Sequence, residues 1–403
     1  MSPAVRSRDA RQSAAAPATL AELLAPRPKT AFLARHWQRE YALVRGRRGR
    51  FEQLLPWAEL NRILNEHRLA APRWRLYRAG RQVSGGGEPA LRAAAPLADE
   101  LRRGATLIVD SVEELHPPLR RLAASLEREL DCGVQVNAYA GWRATRGFDL
   151  HWDDHDVFIL QVYGSKQWQV FGATRPHPLP GDAVPRPRRR PLWSGTLRSG
   201  DLLYLPRGAW HVAVPRGEPT LHLTVGFHTE TGLDLLAWWA ARARRLEIAR
   251  RDVPRLAPAA ERREYAEALW RAAARLWQPG LLEEYLSERD NERRTRPSHG
   301  LPYTALAQPL AGAAAQAPSP SRLRWAAPRR ARWQRSAEAL KIDALGRTWH
   351  FDAAAEPLLL RLADGAAHSL REILGARPRG VSAAQVRELL TQLLRQGLLA
   401  LEA

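Results

Sequence analysis

The sequence predicts an α+β chain built around an antiparallel β-barrel or sandwich. Three observations predict it. Between residue 133 and about 228, short runs rich in β-branched and aromatic residues are separated by turn residues, at 134–139, 157–163, 167–171, 201–205, 211–214 and 220–227. On both sides of this stretch, apolar residues recur at helical rather than alternating spacing. The 403-residue chain is 45% hydrophobic, enough for a sizeable core and for two or three domains at ~100–200 residues each.

Taken in order, residues 1–28 are rich in Ala, Pro, Ser and Arg and lack a signal-peptide apolar region, so they read as a disordered tail. From 31 to about 83 the text reads as helices with basic loops, ending in the loop Val83-Ser-Gly-Gly-Gly87. Residues 116–129 read as a helix with Leu119, Leu122 and Leu126 on one face. Within the β region, 176–191 is a Pro/Arg-rich loop in which Arg186, Arg188, Arg189 and Arg190 have no acidic residue among them. A solvated loop is the plain reading; a lip for an acidic or phosphate-bearing partner is the other.

After the β region, 231–310 is helical and carries Trp238, Trp239, Trp270 and Trp277, which suits either a second subunit or packing within the monomer. Residues 311–328 read as an Ala/Pro/Ser linker. A compact unit at 329–403 follows, with a strand near 348–351, a helix near 357–362, and a helix at 382–398 opened by the capping pair Ser382 and Gln385. With the terminal strand Gly397-Leu-Leu-Ala-Leu it looks winged-helix-like.

Composition narrows the function classes. One cysteine, Cys132, excludes an intramolecular disulfide framework and fits a reducing cytoplasm. No apolar run approaches the ~20 residues of a membrane span, so no membrane partner is expected. The net charge of +20 invites a nucleic-acid partner. Yet only Lys29, Lys166 and Lys341 of the 62 basic residues are lysines, which is the mark of arginine-rich composition bias, and nucleic-acid binding is not the favoured reading.

The chemistry-bearing residues cluster in the β region. His151 and Asp153 stand two apart beside a strand, where i and i+2 share a face. His211 opens a later strand after Gly200-Asp-Leu-Leu-Tyr-Leu-Pro206. Two histidines and a carboxylate are the protein's share of a non-haem Fe(II) site with open positions, so these three are the expected metal-binding and catalytic residues. Lys166, one of three lysines, sits after the Gly164-Ser165 turn and offers a point charge for a substrate carboxylate. Asn137 and Tyr139 share a strand face and are candidates for the same pocket. His155 is a competing ligand, His222 reads as an interior strand residue, and Trp152, Asp154 and Arg143 as rim; all five stay outside the metal set.

The run Phe148-Asp-Leu-His151-Trp-Asp153-Asp-His-Asp-Val-Phe-Ile-Leu-Gln-Val-Tyr-Gly-Ser-Lys166-Gln-Trp168 resembles the core of the JmjC-type ribosomal oxygenases, as do the later blocks at 200–211 and 221–226. The resemblance implies a double-stranded β-helix of the cupin/JmjC type at 29–230, N-terminal helices, a helical dimerisation segment and a winged-helix-like domain. It implies Fe(II) on His151, Asp153 and His211, and 2-oxoglutarate held through Lys166 with Asn137 and Tyr139 lining its pocket. The implied activity is hydroxylation of a histidine or arginine in a ribosomal protein, by a homodimer. The Arg-rich insertion and basic balance depart from what docking on basic ribosomal proteins would favour. Two rivals stay open: the same chemistry on a peptide natural product or small molecule, and a non-catalytic nucleic-acid-binding scaffold, suggested by tryptophans interleaved with arginines at 322–333.

Overall fold

A computed structural model describes residues 16–69, 72–85, 94–292, 303–305, 308–309, 322–326, 332–336 and 338–402. The chain divides into two compact units at residues 229 and 230.

In the first unit, α1 (Leu20–Leu24) opens with a capping box between Thr19 and Glu22 and buries Leu20, Leu23 and Leu24 completely. Lys29 opens α2 (Lys29–Arg35), and its ammonium lies 2.6 Å from Glu129, which also accepts the Leu20 N–H. The expected tail is therefore corrected over residues 16–28: three leucines at helical spacing are a core anchor, hidden in the sequence by Ala/Pro-rich flanks. Residues 1–15 of that tail lie outside the described residues.

β1 (Ala42–Val44), α3 (Trp57–Glu66), β2 (Trp74–Arg78), β3 (Arg81–Gly85), α4 (Ala94–Arg102) and β4 (Thr106–Val109) follow. The strands among them correct the all-helical expectation for 31–83, and β3 replaces the start of the expected 83–87 loop, of which 86–87 lie outside the described residues. In β2 the alternation Trp-Arg-Leu-Tyr-Arg buries Trp74 and Leu76, while arginine at every third step disguises the period of two as a basic loop. α5 (Pro117–Leu130) begins on a proline, ends at Asp131 in a left-handed conformation, and buries Leu119, Leu122 and Leu126 as the periodicity requires.

Seven further strands complete the unit: β5 (Gly133–Gly141), β6 (Asp156–Tyr163), β7 (Ser165–Ala173), β8 (Trp193–Arg198), β9 (Leu202–Leu205), β10 (Ala209–Pro215) and β11 (Thr220–His228). The six strands expected in this region are present, and β8 is added, its serine, glycine and threonine having masked it. All pairings are antiparallel, in an eight-stranded sheet of order β1-β9-β6-β11-β5-β4-β2-β3 and a three-stranded sheet β10-β7-β8. The large sheet turns one face to the helices, burying Val136, Phe158, Leu160, Leu223 and Val225. Alternate residues of its other face, with β7 to β10, make a smaller cluster that includes Val157, Ile159, Trp168, Val170 and Leu203. Between the sheets the filling is apolar at one end and polar at the other, and the polar end holds the site.

The second unit begins with α6 (Gly232–Arg242), α7 (Glu247–Arg250), α8 (Ala259–Ala274) and α9 (Leu281–Glu292), where Trp238, Leu281 and Tyr285 form a small buried cluster. Beyond β12 (Tyr303–Ala305) and β13 (Gln308–Pro309), strands β14 (Arg322–Trp325), β15 (Arg332–Arg335), β16 (Ala339–Ala344) and β17 (Arg347–Asp352) lead to α10 (Glu356–Leu362), β18 (Ala367–Ser369), α11 (Leu370–Gly375), α12 (Ala383–Arg395) and β19 (Leu399–Glu402). Ser382 and Gln385 close the expected capping box. The expected linker is corrected at its end. β14 pairs with β18 and β19 and buries Leu323 and Trp325, so Trp325 is core and unavailable for stacking on bases. Residues 311–321 and 327–328 of that linker lie outside the described residues.

Candidate metal and dicarboxylate site

The segment carrying His151 and Asp153 is tied to the strand carrying His211 by backbone bonds. His151 N–H donates to the His211 carbonyl at 3.1 Å, His211 N–H to the His151 carbonyl at 2.7 Å, and Gly208 N–H to the Asp153 carbonyl at 2.9 Å. The turn before His211 is pinned in addition by buried Asp156, which accepts from the Tyr204 hydroxyl and, at 2.8 Å, from Arg207 N–H. Burial pushes the Asp156 carboxyl up, against these hydrogen bonds.

One ligand atom each from His151, Asp153 and His211 falls within 4.8 Å of the others. The His151 Nδ1 stands 2.8 Å from the Asp149 carbonyl and the His211 Nδ1 3.0 Å from the Ala209 carbonyl. A carbonyl only accepts, so each Nδ1 carries the proton and each Nε2 keeps a free lone pair, the arrangement metal-binding imidazoles use. Burial, reinforced by His151, lowers the His211 imidazole to about 4 against the pull of Asp153. Burial raises the Asp153 carboxyl, but the neighbouring His211, His151 and His155 outweigh it and hold the group below its ordinary value. At neutral pH His211 is thus a neutral imidazole and Asp153 a carboxylate, and together with the His151 Nε2 they can hold a divalent ion of the Fe(II) type and leave cis positions open.

Facing strands fill the rest of the interior. In the small sheet, Pro215 pairs with Lys166, Ala213 with Trp168 and His211 with Val170, so Lys166, Trp168 and His211 share one face. Opposite, His222 pairs with Tyr139 and Gln161, and Thr224 with Asn137. The His222 ring stacks on Tyr139 at 4.7 Å and meets the edge of Trp168 at 5.9 Å. Phe148 closes a wall against Tyr77, Tyr139 and His151.

Lys166 is only 4% exposed and makes no hydrogen bond or ion pair among the described residues. Burial alone drops its ammonium to about 7. An unpaired buried cation facing the same interior as a metal-ligand set is a cradle for an anion, and a dicarboxylate that also reaches the triad fits it. Asn137 accepts the Ser111 N–H at its side-chain carbonyl oxygen, at 3.0 Å, and the Tyr139 hydroxyl is raised by burial and by Asp153. Asn137 stands two residues from Tyr139 on β5, with its carbonyl oxygen engaged by Ser111.

His222 is the residue that sequence reading undervalued. It is buried, its Nδ1 has no hydrogen-bond partner among the described residues, and burial with Lys166 and His211 nearby lowers it well below the usual range. The available signal was the Thr220-Leu-His-Leu-Thr224 alternation, which sets the histidine opposite the leucines. His155 points elsewhere: its Nδ1 bonds Asp154 at 2.7 Å and its ring packs by His228 over Gly226. Arg143 donates to the Arg102 carbonyl at the surface.

Residues 113–235 match the model of the JmjC domain. The bifunctional lysine-specific demethylase and histidyl-hydroxylase NO66 of Dictyostelium discoideum is 36% identical over 139 residues, covering 33% of this chain and 27% of that protein. Ribosomal oxygenase 1 of Gallus gallus is 31% identical over 215 residues, covering 50% and 35%. The chain thus spans about a third or less of the length of these curated relatives. Among solved structures, YcfD, a ribosomal oxygenase from Escherichia coli, superposes with a TM-score of 0.59 at 20% identity, covering 94% of this chain and 99% of that one. Its complex with cobalt and 2-oxoglutarate gives 0.58 at 19%, covering 93% and 98%. Family match, relatives and fold agree: residues 113–235 match the JmjC domain, and the chain is similar to ribosomal oxygenases.

Proposed function

We propose that this chain is an Fe(II)- and 2-oxoglutarate-dependent dioxygenase that hydroxylates a protein side chain, a histidine or arginine of a ribosomal protein. One observation carries the reading: the His151–Asp153–His211 set and the unpaired buried ammonium of Lys166 share a single barrel interior. The names of the relatives, histidyl-hydroxylase and ribosomal oxygenase, point the same way. When bound, iron and 2-oxoglutarate would supply an O2-consuming oxidative decarboxylation to succinate and carbon dioxide, one oxygen atom going to succinate and the other into the substrate C–H bond. The protein's part is placement. His151, Asp153 and His211 hold the ion through Nε2 and carboxylate atoms whose orientation the backbone bonds have already set. Lys166 neutralises the far carboxylate, Tyr139, Asn137 and His222 line its path, and Phe148 and Trp168 keep water away from the reacting end.

In the same reading α6 to α9 form a homodimer face. Leu233, Leu236, Trp270 and Trp277 are 58%, 47%, 67% and 49% exposed, more apolar surface than helices leave to water without a partner. The C-terminal strands and helices are taken as winged-helix-like, and the single buried thiol of Cys132 suits the cytoplasm. Among the described residues no helix is long and apolar enough to cross a membrane.

The test is oxygen-dependent succinate formation from 2-oxoglutarate by the Fe(II)-loaded chain, with mass spectrometry of ribosomal proteins for a gain of one oxygen. His151→Ala and Asp153→Ala should abolish both. Turnover retained in both variants, or iron and 2-oxoglutarate failing to bind the wild type, would sink the reading.

A further inference from the structure

The loop between β7 and β8 is built onto the site. Trp210, next to His211, donates its indole N–H to Thr174 at 2.9 Å, and Thr174 in turn donates to the Pro185 carbonyl. Pro178 is buried against Gly208, where an added Cβ would come within 2.6 Å of its ring; Gly208 is the residue whose N–H holds the Asp153 carbonyl. The loop therefore hangs from the turn that joins the two metal-ligand segments. Its free part carries Arg186, Arg188, Arg189 and Arg190, all exposed and without an ion pair among the described residues. The loop's one acid, Asp182, is occupied by Arg175 at 3.0 Å and by Leu179 N–H at 2.9 Å.

Composition bias explains many arginines, but here four fall within five residues on a loop attached at the site. Several arginines elsewhere in this unit do face carboxylates, as in Arg45–Asp201, Arg62–Glu59, Arg75–Asp110 and Arg78–Glu100. Pro185, Pro187 and Pro191 fix φ around the four arginines and exclude a helix, so they are presented on a chain with little freedom left to lose on binding. Guanidinium forks suit phosphate oxygens, and a Pro/Arg segment carries no group that reads a base edge.

We infer that Arg186, Arg188, Arg189 and Arg190 form a rim that docks an RNA phosphate backbone beside the site. The choice of RNA rests on the hydroxylase reading above. A free basic ribosomal protein would be repelled by this rim, whereas one presented with its RNA brings the counter-charge to the place where its side chain must enter. The rim thus selects ribonucleoprotein over the isolated protein.

The experiment uses the full chain and a fluorescently labelled RNA stem-loop of mixed sequence, with anisotropy measured across a salt series. Replacing all four rim arginines by Gln should weaken binding at least tenfold near physiological salt. It should also flatten the log–log salt dependence by ~0.7–0.9 for each phosphate that the variant no longer neutralises. Arg244, Arg245, Arg251 and Arg255, exposed in the second unit, changed together to Gln, remove the same charge and should cost less than threefold. His211→Ala should bind RNA like the wild type, so failure of docking and failure of the oxygenase reading are told apart. Equal losses from the two fourfold variants would show net charge alone and overturn the rim. So would displacement of the RNA by polyglutamate at matched charge concentration, which would point to an acidic protein instead.

Discussion

Replacing Lys166 by Met should make the ligand-free protein more stable and the dicarboxylate-bound one weaker. The ammonium is 4% exposed with no counter-charge among the described residues, and burial takes it from 10.5 to about 7. That is 3.5 powers of ten in proton affinity, or about 5 kcal/mol at ~1.36 kcal/mol per power of ten. The folded state then binds fewer protons than the unfolded one between pH 7 and 10.5, so stability rises with pH across that window. Below pH 7 both states are protonated and the penalty is constant. Between pH 7 and 9.5 the wild type should gain up to about 3 kcal/mol relative to Lys166→Met. Urea denaturation of both proteins at the two pH values reads this difference directly, other titrating groups cancelling between them. In metal-loaded protein at neutral pH, the same substitution should weaken 2-oxoglutarate binding, measured by calorimetry, by about a hundredfold or more, as removing a buried charge partner does. A Lys166→Met protein no more stable than wild type at pH 7, with no pH-dependent gap, would refute the unpaired-cation argument.

Three more outcomes follow from other parts of the barrel unit. Gly200→Ala should cost about 3–5 kcal/mol in a chemical melt, because φ is +96° and the new Cβ would lie 2.0 Å from the Arg47 carbonyl oxygen; a loss under about 1 kcal/mol would contradict that close approach. Tyr204→Phe should cost about 2–4 kcal/mol by leaving Asp156 and the Gln38 N–H short of a partner, and looser Co(II) binding should accompany it as the Arg207 turn relaxes. Leu23→Ala should destabilise the first unit by about 2–5 kcal/mol, whereas a tail residue would give no change in the melt.

The features legible in the amino-acid order are those whose pattern is local. His151 and Asp153 lie two residues apart in sequence, six of the barrel strands are short apolar runs bounded by turn residues, and α5 and α12 carry helical periods with their own start signals. Ser382 and Gln385 cap the last helix from within a single turn, so no distant residue was needed to see it. β14 was illegible because its partners, β18 and β19, lie far along the chain, and β2 because its arginines interrupt the apolar alternation that its pairing reveals. The leucines of α1 look like a tail until Glu129, more than a hundred residues on, ties down their helix. The character of the site came from the folded arrangement. Lys166 becomes a buried cation beside the metal-ligand set only because antiparallel register sets it on the face of His211, and it stays unpaired because no carboxylate among the described residues folds back to meet it. His222 becomes a pocket wall only when β11 lies between β5 and β6. Residue type and near spacing fix what a group can do, but burial and register, both sums over distant chain, fix what it must do.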